Sequence, residues 1–144
     1  MAIYDVPFSI TGVSASAIAW LRSTASKDMR VWEIGVWEES GTAAASVVGL
    51  GRPAAVSVSP TALVPQAQDT SAGAAACSAS VAATTKPTAP TNYMRRFGMP
   101  ATLGAGIIWT YSRGLVIPTG PAELVVFNIG AATCVFGGYF TYDE

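Results

Sequence analysis

The stretch Arg30-Val-Trp-Glu-Ile-Gly-Val-Trp-Glu38 decides how the rest of this chain is read. It lies between two turn-like segments, Ser23-Thr-Ala-Ser-Lys-Asp28 and Glu39-Ser-Gly-Thr42. It has the length of one strand and is rich in β-branched and aromatic residues. At period two, Trp32, Ile34 and Val36 point one way, and Val31, Glu33, Gly35 and Trp37 the other. The first set predicts a core face. The second, with a Glu beside a Trp, predicts a partly covered outer face. Tryptophan is costly to leave bare and is enriched where proteins touch. Trp37 is therefore expected to pack beneath the long loop described below or at a subunit contact.

Working outward, Val6-Pro-Phe-Ser-Ile-Thr-Gly-Val13 alternates cleanly, with Val6, Phe8 and Ile10 inward, and Pro7 predicts an edge strand or a strand start. Ala17 to Arg22 reads as a strand with Ile18 and Trp20 on one face. Ala44 to Gly51 is a strand whose glycines suggest a bulge or close packing. Asn92 to Phe97 forms a short run that Gly98 ends, and Ile107 to Ser112 is a strand. Arg113-Gly114 predicts a turn into Leu115-Val-Ile117, and Pro118-Thr-Gly-Pro121 a further turn. Glu123 to Ile129 is apolar on both sides, as a central strand requires. Thr133 to Tyr142 closes the fold, with Gly137-Gly138 expected as a bulge. Eight to nine short strands with no helical period predict an all-β chain: one antiparallel β-sandwich or jelly roll spanning 1–144.

Residues 53–92 differ in character. They hold five prolines, much Ala, Ser and Thr, and only Asp69 and Lys86 as charges. The reading is a long loop inserted in the sandwich, with Val56 to Ser59 a short strand at most, lying against another protein surface.

Charged residues make up 12% of the 144, about half the usual globular share, and apolar residues 51%. So little charge favours a chain that buries part of its outside against partners. The net charge of −1 offers no field for nucleic acid or an anionic membrane, and no run of 18 apolar residues predicts a membrane-spanning helix. Nor does Met1-Ala-Ile-Tyr-Asp5 resemble the start of a signal peptide. Cys77 and Cys134 are expected as separate buried thiols, with a single disulfide the alternative.

Chemistry is scarce. The chain has no histidine, which removes the commonest general base and zinc ligand, and no catalytic residue, metal ligand or cofactor site is predicted. Glu38-Glu39 reads as a solvated strand end. Arg95-Arg96, flanked by Tyr93 and Phe97, has the composition of a phosphate- or base-stacking site, but without a wider basic footprint contact with an acidic neighbour or with solvent is the better reading. Trp109, Tyr111 and Tyr139 could form a sugar platform, although core or interface packing is the default for such residues. The candidate interface residues are thus Trp37, Tyr93, Arg95 and Arg96.

Three segments together resemble small virion proteins of tailed bacteriophages, in particular the β-sandwich head-decoration (cement) proteins. They are Lys27 to Glu39, Gly114 to Ile129, and the closing Gly138-Tyr-Phe-Thr-Tyr-Asp-Glu144. The resemblance implies a non-enzymatic structural protein on the capsid exterior of a virion. It further implies homotrimers that bind the outer face of the head and bridge major capsid protein subunits. No functional residue carries over, because no catalytic motif anchors the likeness. Two other readings stay open: a phage neck, tail or baseplate component, and a carbohydrate- or receptor-binding β-sandwich module.

Overall fold

The computed structural model describes residues 1–144. Eleven strands and no helix make up the chain: β1 (Ile3–Thr11), β2 (Ser16–Arg22), β3 (Met29–Ser40), β4 (Ser46–Gly51), β5 (Val58–Leu63), β6 (Gln66–Ala67), β7 (Ser78–Thr85), β8 (Arg95–Met99), β9 (Gly106–Ile117), β10 (Glu123–Asn128) and β11 (Val135–Asp143). They pair, always antiparallel, into two sheets ordered β6-β1-β11-β3-β9 and β5-β7-β2-β10-β4-β8. Setting β5, β6 and β7 aside leaves β1-β11-β3-β9 facing β2-β10-β4-β8. Counted along the chain this is first-eighth-third-sixth over second-seventh-fourth-fifth, the strand order of a jelly roll.

The stretch 53–92 is not one loop. It contains β5, β6 and β7, which continue the second sheet beyond β2 and add two residues beside β1. Small side chains were misleading here. Ser78 to Thr85 has little hydrophobic amplitude, yet Ala79 and Ser80 are fully buried beside Leu21 and Trp20 because only small residues fit between crowded neighbours. Of the remaining pieces, residues 52–57 and 86–94 fold over the outside of the second sheet, while 68–77 run beside β1, where the Gln68 N–H donates to Ile3 O and the Tyr4 hydroxyl to Gly73 O. Ala55 bridges Thr88, and Tyr93 meets Phe127 edge-on at 5.7 Å between ring centres. Beneath them Ala17, Trp20, Val125 and Phe127 form a small second core. The total accessible surface, 6772 Å², is close to the ~7,000 Å² expected of a compact chain of this mass. No part of the insertion projects as an arm.

The main core lies between the sheets and holds 24 buried residues, among them Phe8, Ile34, Val36, Leu50, Leu124, Phe136, Phe140 and Tyr142. As its sequence predicts, β10 is buried at all six positions. Two bulges shift the expected faces. Trp32 is the extra residue of β3 opposite the Thr141–Tyr142 step, so Met29 and Val31 point inward before it and Ile34 and Val36 after it. The half-buried Trp32 leaves the core and donates its indole N–H to Asp143 Oδ2 at 2.9 Å. In the same way Ile18 is the extra residue of β2, which puts Ile18 in the main core and Trp20 in the second one. Gly137 and Gly138, by contrast, are paired regularly. They are glycines because a Cβ would run into Trp37 at the first and Phe8 at the second. Between Tyr111 and Gly114, β9 bows away from β3, and Gly114 (φ +68°) sits where Arg30 crosses it.

Both cysteines are free and buried. Burial, reinforced by the neighbouring Glu144 carboxylate, pushes the Cys77 thiol from 9.0 up to about 12. The unfolded thiol then releases its proton first, so stability falls as pH rises from about 9 to about 12. Thermal midpoints measured across that range are expected to decline, and less steeply for Cys77→Ala. An identical decline in both proteins would remove Cys77 from the explanation.

Candidate interaction surface

The outer face of the first sheet is where the chain presents unused side chains. Cross-strand register places them in three rows. One runs Asp5, Thr141, Glu33, Thr110; the next Pro7, Tyr139, Gly35, Ile108; the third Ser9, Gly137, Trp37, Gly106. Large residues sit beside glycines. A Cβ at Gly35 would collide with the Tyr139 ring, and one at Gly137 or Gly106 with Trp37. Gly35 and Gly137 are slots that let the Tyr139 and Trp37 rings settle onto the sheet, and Gly106 lets β9 pass close to the Trp37 backbone and Cβ. The two rings lie 6.1 Å apart, inclined at 51°. Ile108, 55% exposed, continues the patch towards the β9 margin.

Polar groups frame the rings. The Tyr139 hydroxyl donates to Glu33, and Ser9 donates to Glu39. Asp5 accepts from Thr141 Oγ1 at 2.5 Å and from Gln68 Nε2 at 2.8 Å. Burial, together with the Glu33 carboxylate, raises the Tyr139 hydroxyl to about 12, so it remains a donor at neutral pH. No Lys or Arg pairs with Asp5, Glu33 or Glu39, since the molecule's one ion pair joins Arg22 to Glu123 at 3.7 Å. The surface is therefore aromatic and anionic, with a shallow depression lined by Asp5, Pro7, Glu33, Gln68, Tyr139 and Thr141.

Trp37 takes the outer-face position expected of it. It packs on Tyr139 and the flanking glycines, while residues 53–57 and 86–94 cover the other sheet. The four predicted interface residues are not gathered in one place. Tyr93 is spent covering Phe127 and Gly49. Phe97 turns the other way, towards the main core, so the aromatic-flanked base-stacking arrangement is not built. Arg95 and Arg96 are exposed on β8, an edge strand of the second sheet, with Arg95 directed at the Tyr111 hydroxyl. Of the possible sugar-platform residues, Trp109 is core, Tyr111 is half-buried and only Tyr139 reaches this face. Glu33 is expected on the outer face beside Trp37, whereas Asp5 and Ile108 carry no sequence signal as members of this surface. The available signal was Gly35, a glycine between Glu33 and Trp37 in mid-strand, which marks a place where something lies close on the backbone.

Glu38 corrects another expectation. It is fully buried, not solvated, and neither carboxylate oxygen has a hydrogen-bond partner. Its backbone explains the placement: the N–H donates to Ala105 O and the carbonyl accepts from Gly104 N, locking β3 to the turn before β9. An unpartnered buried carboxylate is costly, so Glu38→Met is expected to stabilise the fold by about 1–3 kcal/mol in urea denaturation. A loss of stability would show that the carboxylate has a partner in solution.

No cluster of three or more His, Cys, Asp or Glu side chains is arranged to hold a metal ion. No protein-family description, curated protein or solved structure matches this chain.

Proposed function

We propose that this chain is a structural virion protein, a capsid decoration (cement) protein that binds the outside of a phage head as a homotrimer. In this role it stabilises contacts between major capsid protein subunits and performs no chemical step. One observation carries the reading: the two outer faces are treated differently. The chain closes the second sheet with its own residues 52–57 and 86–94, whereas on the first Trp37 and Tyr139 stay half-buried and Ile108 is exposed. An aromatic surface of that kind is expected to be covered in an assembly. The jelly-roll strand order, which serves capsid proteins among others, and the likeness of three strand segments to cement proteins support the same reading. Stabilisation would follow from mass action, because a protein that binds only the assembled shell favours that state, and repeated weak contacts add through avidity.

The test is co-sedimentation of purified protein with expanded heads that lack it. Saturable binding at a whole number of trimers per lattice repeat, with a rise in head melting temperature, is expected. Free protein in the supernatant at every concentration would overturn the role. A carbohydrate-binding module is the second reading. It draws on the same two rings beside Asp5 and Gln68, with Tyr139 as a platform. It requires that face to stay open in the assembled protein, and binding on a glycan array would favour it.

A further inference from the structure

The two lateral sides of the sandwich differ as much as its faces. At one side β5, β6 and β7 extend the sheets past β2 and β1. At the other, β8 and β9 are bare edges, each paired to a single neighbour, β4 and β3. An uncovered edge is a liability that proteins normally cover, twist away or protect with charge. Here the charge is of one sign. Arg95, Arg96 and Arg113 are exposed along this side without an ion-pair partner, and exposed Arg52 reaches it by donating to Val116 O at 2.7 Å. That is half of the chain's eight Lys and Arg. Met94, Leu103 and Val116, 40%, 49% and 42% exposed, lie among them.

The aromatic face of the first sheet is the complement: Asp5, Glu33 and Glu39 form no ion pair and surround rings on which a guanidinium can stack, while the face's own cation, Arg30, lies at one end against Trp32. We propose that the β8–β9 side of one copy docks on the outer face of the first sheet of a second copy, Arg95 and Arg96 meeting Glu33 and Glu39 while Met94 or Leu103 covers Trp37. Because the two surfaces differ, the contact is heterologous, and repetition closes a ring when the rotation between copies returns to the start and builds a filament otherwise. The ring size of three rests on the decoration reading above. Ile108 lies where the face meets the β9 edge, so on each copy the two surfaces are continuous and a closed ring buries both.

Light scattering of the purified protein tests this. The wild type is expected near three times the 14.8 kDa chain mass. Arg95→Glu/Arg96→Glu should run as a monomer, and so should Glu33→Arg/Glu39→Arg, each with wild-type circular dichroism. The chain carrying all four substitutions should recover the ring, because both charge patterns are then reversed together. Hydrogen exchange gives a readout without substitution: amides of β9 should exchange more slowly as protein concentration rises. A monomeric wild type, or double variants that keep the wild-type mass, would overturn the interface. A monomer that still coats heads would sink this interface and the homotrimer but not the decoration role, and a ring that ignores heads would sink only the decoration role.

Discussion

Deleting residues 66–85 is expected to abolish cooperative folding. The segment has the composition of a dispensable linker, but it includes β7, which is paired on both sides, to β2 and to β5. Without β7, β5 loses its only partner and β2 becomes an edge beside two cores. Cys77 and Ala79 are lost from between the sheets and Ser80 from beside Trp20 on the outer side, and Leu21 and Trp20, both fully buried, gain a path to water. Uncovering one large apolar side chain costs about 1.5–3 kcal/mol, and two such losses plus a missing ladder compare with the whole net stability of a domain, about 5–15 kcal/mol. Calorimetry of the deleted chain should show no unfolding peak. A peak near the wild-type midpoint would mean that the eight-strand jelly roll stands alone.

Glu123→Ala carries the next largest effect. Glu123, on the central strand of the second sheet, is 2% exposed and accepts from the Ser57 N–H at 2.9 Å and from the Ser57 hydroxyl. It also pairs with Arg22 at 3.7 Å. The carboxylate thus ties the segment before β5 to β10. Removing it orphans two buried donors and leaves a guanidinium without its counter-ion. Losing one member of a fully buried pair costs about 3–5 kcal/mol, and the partly exposed Arg22 lowers this to about 2–4 kcal/mol. Glu123→Gln, which keeps an acceptor, should lose less. Urea denaturation would measure both, and an alanine variant within about 0.5 kcal/mol of wild type would show that the tie contributes nothing.

The fold was legible wherever hydrophobic amplitude was large. Glu123 to Ile129 and Val6 to Ile10 read as strands because Val, Leu, Ile and Phe recur with a clear period. Bulges were not legible. A single extra residue at Trp32 and another at Ile18 reversed the predicted side of a tryptophan in each strand, and nothing local in Val31-Trp-Glu33 announces the shift, which is set by pairing with β11. Nor was β7, since Ala and Ser show no amplitude when burial is decided by the space between neighbours. Glu38 illustrates the reverse case: charge type argues for water, while register and its two backbone hydrogen bonds hold it inside.

On the candidate surface, Trp37 was legible as an outward tryptophan. Its neighbours were not, because Tyr139, Asp5 and Ile108 come from three other strands and meet only through register. The separation of charge was hidden for the same reason. Net charge is −1, and the cations of β8 and β9 look scattered until the edges are seen to share one side. A near-neutral chain can thus carry a basic side and an acidic face, an arrangement suited to self-association.

Reconstruction of the assembled particle by electron cryo-microscopy tests the decoration role most directly. Density for this chain should appear on the outer surface of the head, as three-fold clusters between major capsid subunits. Finding it confined to the neck or tail, or absent from the particle, would contradict that role.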